Sequence, residues 1–165
     1  MKKTVLAVAL VLAAGAAQAQ IKIEQPWTRA TAPSAPNGAA FMTLVNPSSA
    51  PAERLIAAES SVARVVELHS HVMDGSVMRM RKVDGIDVKA GESVKLEPMG
   101  FHVMFLGLKA PLKEGDSVPL TLVFQNAGRI EIAATVAKAG AAGPGMDGAM
   151  GGHHQHMQHA PPKTN

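Results

Sequence analysis

The sequence predicts an all-β domain, a β-sandwich of the Greek-key type, and two observations support this prediction. From residue 21 to about residue 136, short runs of alternating apolar and polar residues follow one another, as in strands that bury one face. Between these runs stand Gly, Pro, Asn and Asp, the residues that tight turns require. Many short strands at this spacing are typical of a sandwich or a small barrel, and we predict the sandwich.

Several segments are predicted to form the strands of this domain. The clearest is the one in which Val118, Leu120, Leu122 and Phe124 occupy every second position, so that all four point into the core. Pro119 has no backbone N–H to donate, and we therefore expect this strand at an edge of a sheet. In chain order the segments are 22–24, 40–45, 54–59, 64–72, 77–83, 93–98, 101–108, 118–125 and 130–136.

The first 19 residues are predicted to be a signal peptide. Lys2 and Lys3 precede an uncharged run at residues 5–17, and Ala17 and Ala19 supply the small-x-small pattern of a cleavage site. A run of this length is too short to span a bilayer as a helix. We therefore expect a secreted or periplasmic protein that does not span the membrane after cleavage, with one domain at residues 20–138.

Charge and cysteine content exclude several classes of function. The net charge is +3, and loss of Lys2 and Lys3 with the signal peptide would leave +1, without a Lys/Arg stripe for nucleic acid. The chain has no cysteine, which excludes thiol nucleophiles, Cys-based zinc sites and the blue-copper thiolate. No spacing typical of a catalytic triad or a phosphate-binding loop is present, so we predict that the protein is not an enzyme. With ten methionines, any soft metal ligand here is a thioether.

The segment 67–81 is one of three parts of the chain that are rich in histidine and methionine. Asp74-Gly75 lies between two alternating runs and predicts a hairpin with a type I′ turn. In that register His69 faces Met80, His71 faces Met78 and Met73 faces Ser76. Since side chains alternate along a strand, these imidazoles and thioethers share one face of the hairpin.

A second cluster lies in the predicted strand 101–108. His102 and Met104 are two residues apart, which puts them on one face at roughly 6.6–7 Å between Cα atoms. Phe101, Val103 and Phe105 take the opposite face and are predicted to be core. Met42 and Met99 are also assigned to the core, where single methionines usually act as fillers.

A third His/Met tract follows the domain, at residues 139–165. This segment begins almost entirely with Ala and Gly and cannot bury enough apolar surface to fold, so we predict a flexible tail. An inert polar end is the alternative, but interleaved histidines and methionines favour metal binding. The candidate ligands are Met146, Met150, His153, His154, His156, Met157 and His159.

The donor types favour copper over other metals. Thioethers prefer Cu(I), whereas zinc favours thiolate, further imidazoles or carboxylates, and calcium and magnesium require oxygen. A set of two imidazoles and two thioethers is neutral and holds a monovalent cation with low net charge. The competing interpretation is that single methionines and histidines are core filler or surface residues. Three His/Met-dense tracts in one cysteine-free chain favour copper.

The spacing of four of these residues resembles a known motif. The periplasmic copper chaperones called PCu(A)C carry His, ten residues, Met, twenty-one residues, His, one residue, Met. His69 and Met80 here are separated by ten residues, Met80 and His102 by twenty-one, and Val103 separates His102 from Met104. The resemblance covers essentially residues 21–136.

This resemblance implies a fold, a ligand set and a role. The fold would be a cupredoxin-like β-sandwich in which His69, Met80, His102 and Met104 bind one Cu(I) near the surface. The role would be to carry copper to the CuA centre of cytochrome c oxidase subunit II, often alongside a Sco-type protein. The tail resembles an extension that binds additional copper, including Cu(II). His71, Met73 and Met78 lie outside the motif and are auxiliary candidates.

Two other functions stay open at the level of sequence, and a third is disfavoured. The same ligands would serve a periplasmic sequestration or resistance protein that stores copper without delivering it. A metal-free sandwich could use its methionines as an interaction surface. An electron-transfer cupredoxin is disfavoured because the thiolate of such sites is missing.

Overall fold

The computed structural model describes residues 21–144, and residues 1–20 and 145–165 lie outside the described part of the chain. The described residues form ten strands and no helix. Among these residues, therefore, no helix has the length and apolar character to cross a membrane. The strands are β1 (Lys22–Arg29), β2 (Asn37–Val45), β3 (Glu53–Glu59), β4 (Ala63–Asp74), β5 (Val77–Lys82), β6 (Ile86–Val88), β7 (Ser93–Leu96), β8 (His102–Leu108), β9 (Ser117–Phe124) and β10 (Gly128–Ala137).

The strands are hydrogen-bonded along one path in the order β5-β4-β8-β2-β1-β10-β9-β3-β6, and β7 pairs with β2. Neighbours are antiparallel except β1 and β10, which run parallel. Strands β3 and β4 lie near opposite ends of this path and nevertheless contact each other. The sheet is therefore folded over on itself, with the core between its two halves.

Alternating residues from both halves fill this core. Val103 and Phe105 of β8 and Leu122 and Phe124 of β9 are almost fully buried and belong to one apolar cluster. Their buried areas supply the hydrophobic free energy that holds the two halves together. The period-2 pattern that predicted these core positions is confirmed, as is the assignment of Met42, which is buried.

The prediction that Pro119 marks an edge strand is wrong. Strand β9 lies inside the sheet, between β10 and β3. Pro119 pairs with Ala133 of β10, but the pairing with β3 ends at Thr121. The proline thus lies just past the end of β3, where its missing N–H interrupts no ladder hydrogen bond on that side.

The predicted register of the β4–β5 hairpin is also wrong, by two residues. Asp74 pairs with Val77, so Gly75 and Ser76 form the turn. Gly75 has a φ of 64°, whereas neither Asp74 nor Ser76 has a positive φ. This is the Gly-X pattern of a type II′ turn, which places the positive φ on glycine and avoids it on aspartate. A shift of two residues keeps every side chain on its predicted face.

Candidate metal centre

A surface cavity of about 410 Å³ lies where β4, β5, β8 and β2 meet. Donor side chains from three of these strands line it, together with residues of β1, β2 and the turn before β8. The lining donors are His71, Met80, Met99, His102 and Met104, and the other lining residues are Arg29, Ala30, Thr31, Asn37, Gly38, Ala39, Phe41 and Pro98.

His102 is the most buried of these donors, with 3% of its surface exposed. Its Nδ1 lies 3.1 Å from the carbonyl oxygen of Gly100, and its Nε2 lies 3.1 Å from Met80 Sδ. A carbonyl only accepts, so Nδ1 carries the proton and donates it, and Nε2 keeps a free lone pair. That lone pair points at the thioether. Two electron-pair donors therefore lie side by side, as they would around a bound cation.

The surroundings of His102 keep its imidazole neutral. Burial lowers the pKa of His102 below its usual value, and the nearby His71 and His69 lower it further, while the hydrogen bond to Gly100 opposes the shift. The ring also packs beside Phe41, with 6.3 Å between ring centroids. A neutral, fixed imidazole is the form that binds a metal ion.

His69 lies directly across the β4–β8 ladder from His102, with 5.8 Å between ring centroids. Its Nε2 lies 2.9 Å from Glu67 Oε2, and Lys82 Nζ donates to the other carboxylate oxygen of Glu67. Both hydrogen bonds lower the pKa of Glu67, and the one from His69 has the larger effect. The other ring nitrogen of His69, Nδ1, is buried and has no hydrogen-bond partner. A carboxylate that orients an imidazole in this way is a common feature of metal sites.

His71, the next imidazole on the same face of β4, also lies beside His102. The observed register pairs it with Met80, and its ring centroid is 5.3 Å from that of His102. The Nδ1 atom of His71 is also buried without a partner. The structure thus brings two β4 imidazoles next to His102. His71 lines the cavity, whereas His69 contacts His102 and is not among the lining residues.

The remaining candidates fall outside the cavity. Met73 and Met78 form a cross-strand pair next to the hairpin turn, with 62% and 44% of their surfaces exposed. They share the face of Met80 but lie farther along the hairpin. The tail candidates Met146, Met150, His153, His154, His156, Met157 and His159, like the predicted signal peptide, lie outside the described residues.

One donor at the cavity was missed in the sequence. Met99 was assigned to the core, yet 63% of its surface is exposed and it lines the cavity with Met80 and Met104. The assignment is wrong because Met99 sits in a turn rather than a strand. Pro98 followed by Gly100 was the signal available, since Pro at the second position and Gly at the fourth are typical of a β-turn.

Within residues 21–144, no three His, Cys, Asp or Glu side chains are placed to hold a metal ion together. The donors gathered at the cavity are imidazoles and thioethers in combination. The fold and this site together define a small all-β domain that presents imidazole nitrogen and thioether sulfur donors at one end of its sheet.

Comparison with known proteins places this domain in a family. The model of the LpqE-like family, described as "Putative lipoprotein LpqE-like", matches residues 21–136, and the chain belongs to this family. A relative from Leifsonia xyli subsp. xyli (strain CTCB07), "Putative lipoprotein Lxx21020", is 31% identical over 117 residues, which are 70% of this chain and 69% of the relative.

Solved structures of PCuAC domains have the same fold. The copper-bound PCuAC domain from PmoF2 is 28% identical, with a TM-score of 0.61 over 74% of this chain and 96% of that domain. The CuI-DR1885 solution structure from Deinococcus radiodurans is 32% identical, with a TM-score of 0.61 over 75% of this chain and 83% of that one. The resemblance to PCu(A)C proteins and the cupredoxin-like β fold that it implied are confirmed.

Proposed function

We propose that this protein is a copper chaperone that binds Cu(I) as its cargo. The observation that carries this proposal is the 3.1 Å approach of His102 Nε2 to Met80 Sδ in a cavity lined by further thioethers and an imidazole. The proposed ligands are His69, Met80, His102 and Met104. Similar solved structures include the copper-bound PCuAC domain from PmoF2 and CuI-DR1885.

The chemistry of this donor set suits a monovalent soft cation. Thioethers and neutral imidazoles stabilise Cu(I) without adding charge, and they do not oxidise to disulfides as thiolates do. The burial of His102 on one side and the 46% exposure of Met80 on the other leave the ion accessible to an acceptor. Ligands of the acceptor enter stepwise, and stronger ligands such as thiolates set the direction of transfer.

We expect His69→Ala to weaken Cu(I) binding about tenfold or more, and His71→Ala to weaken it less. The reason is that Glu67 orients His69, whereas no carboxylate within residues 21–144 forms a hydrogen bond with the His71 ring. Competition with a Cu(I) chelator measures both affinities, and each variant is the control for the other. A larger loss in H71A would assign the β4 ligand to His71 instead.

We propose that the protein is exported to the periplasm and that its tail binds additional copper as Cu(II). Lys2, Lys3 and the apolar run after them support export, and the relative from Leifsonia xyli is described as a lipoprotein. The four tail histidines, His153, His154, His156 and His159, offer imidazoles for Cu(II). These imidazoles would release the ion as the pH falls and they become protonated.

A chain that ends after Pro144 is expected to keep the Cu(I) site and to lose most Cu(II) uptake. This end point keeps Ala141, which is buried against Trp27 and Phe41. It also preserves the hydrogen bond from Arg29 Nε to the carbonyl of Ala141. Equilibrium dialysis against Cu(II), with Cu(I) competition in parallel, measures the two losses separately. Retention of Cu(II) by the shortened chain would show that the tail is passive.

The proposed destination of the copper is the CuA centre of cytochrome c oxidase subunit II, reached directly or through a Sco-type protein. A deletion strain grown at low copper tests delivery, because the oxidase activity should then fall and recover with added copper. Unchanged oxidase activity together with higher sensitivity to copper would favour sequestration without delivery.

A further inference from the structure

We propose that Met99 is a third thioether donor, which caps the bound soft cation from the solvent side of the cavity. This inference rests on the proposed function and extends it to a residue outside the four-ligand motif. Three observations support it, namely the backbone conformation of Met99, its exposure and the hydrogen bonds of the turn that carries it.

The backbone of Met99 is in an unfavourable conformation. Residues 97–100 form a turn closed by a 3.0 Å hydrogen bond from the N–H of Gly100 to the carbonyl of Glu97. Pro98 takes the second position and Met99 the third, with a φ of 71°. A type II turn prefers glycine at that third position, because a side chain there crowds the backbone. Among the described residues only Gln25 is another non-glycine residue with positive φ.

Burial does not explain why a methionine occupies this position. Met42 in β2 is 2% exposed and packs in the core, whereas Met99 is 63% exposed. A large apolar side chain that remains in water gains little hydrophobic free energy to offset the strain of its backbone. Met99 instead lines the cavity, together with Met80, Met104 and His102.

The turn is tied to both strands that carry imidazoles. The carbonyl of Gly100 accepts the hydrogen bond from His102 Nδ1 and a second one, 3.3 Å long, from the backbone N–H of His71. One carbonyl therefore fixes the orientation of the His102 ring, joins β4 to the turn and holds Met99 at the mouth of the cavity. A thioether placed there is neutral, soft and accessible, which suits a ligand that exchanges with solvent or with an acceptor.

Titration of the full chain with Ag(I), a redox-inert substitute for Cu(I), tests this inference. The protein carries ¹³C-labelled methionine methyl groups, and the Met99 resonance is assigned by its absence from Met99→Leu. We expect the Met99 methyl to shift with the first equivalent of Ag(I), together with those of Met80 and Met104. The affinity of M99L for Ag(I) should fall about tenfold, the low end of what loss of a peripheral group at a metal site costs.

Two further variants separate the thioether from the backbone. Met99→Gly removes the sulfur and also relieves the positive φ, so its affinity should fall as in M99L while its metal-free stability does not. Met73→Leu is the matched control, because Met73 is 62% exposed but lies outside the cavity, and its affinity should stay at the wild-type value.

The outcomes distinguish the two proposals. If the Met80 and Met104 methyls shift while that of Met99 does not, and M99L binds Ag(I) like the wild type, the role of Met99 is overturned and the chaperone proposal stands. If none of the three responds to Ag(I), the metal centre itself is overturned, and the role of Met99 with it.

Discussion

His102→Ala is expected to weaken Cu(I) binding by more than about a hundredfold, beyond the range that loss of an outer-shell partner costs. His102 offers an unprotonated Nε2 that points at Met80, because its other nitrogen donates to Gly100. Its burial also lowers its pKa, so the free lone pair persists at a more acidic pH than for an ordinary histidine. Chelator competition at pH 7 measures the loss.

A buried side chain cannot be truncated without a check on the fold. His102 is 3% exposed and packs beside Phe41, so alanine leaves a small void. His102→Gln, which fills more of that space without an imidazole, should lose Cu(I) to a similar extent. Chemical denaturation of the metal-free proteins reports whether both variants remain folded. Folded variants with wild-type affinity would remove His102 from the site.

Met80→Leu is expected to weaken Cu(I) binding by about ten- to a hundredfold, whereas Met78→Leu should leave it unchanged. Both residues lie on the same face of β5 and are almost equally exposed, at 46% and 44%. Only Met80 lines the cavity and approaches His102 Nε2. The pair therefore compares two thioethers that differ chiefly in position.

The leucine substitution keeps the volume and apolar character of methionine, so the stability of the metal-free protein should change little. Chelator competition with Cu(I), repeated with Ag(I), measures both variants. Equal losses in M78L and M80L would mean that copper binds along the exposed hairpin rather than in the cavity. Loss in M78L alone would assign the site to the cross-strand pair of Met73 and Met78.

The sequence predicted most of the strands because half-buried strands have a strong period of two. The hairpin register was wrong, since a turn is decided by local φ preferences that Asp74-Gly75 and Gly75-Ser76 both partly satisfy. The shared face of His71, Met78 and Met80 was nevertheless predicted correctly, because the error was an even number of residues.

Other features depend on contacts that no local pattern contains. The three-residue strand β6 is too short for a periodic signal, and the sequence did not predict it. The environment of Pro119 depends on where its neighbour β3 ends, which is a property of the folded sheet. Met99 was misplaced because its side chain reaches the cavity from a turn.

The choice between His69 and His71 shows a further limit of sequence reasoning. A period of two puts both imidazoles on one face of β4, and both lie near His102 in the folded chain. What separates them is the hydrogen bond of His69 to Glu67 and the position of His71 at the cavity. Both features depend on tertiary structure, so the spacing motif alone does not reveal them.

X-ray absorption at the copper edge of the protein loaded with one equivalent of Cu(I) tests the central claim most directly. It counts the sulfur and nitrogen atoms bound to the metal, and thus whether distant imidazoles and thioethers meet at one ion. We predict two nitrogen and at least two sulfur donors. A first shell of nitrogen and oxygen atoms without sulfur would contradict the proposed site.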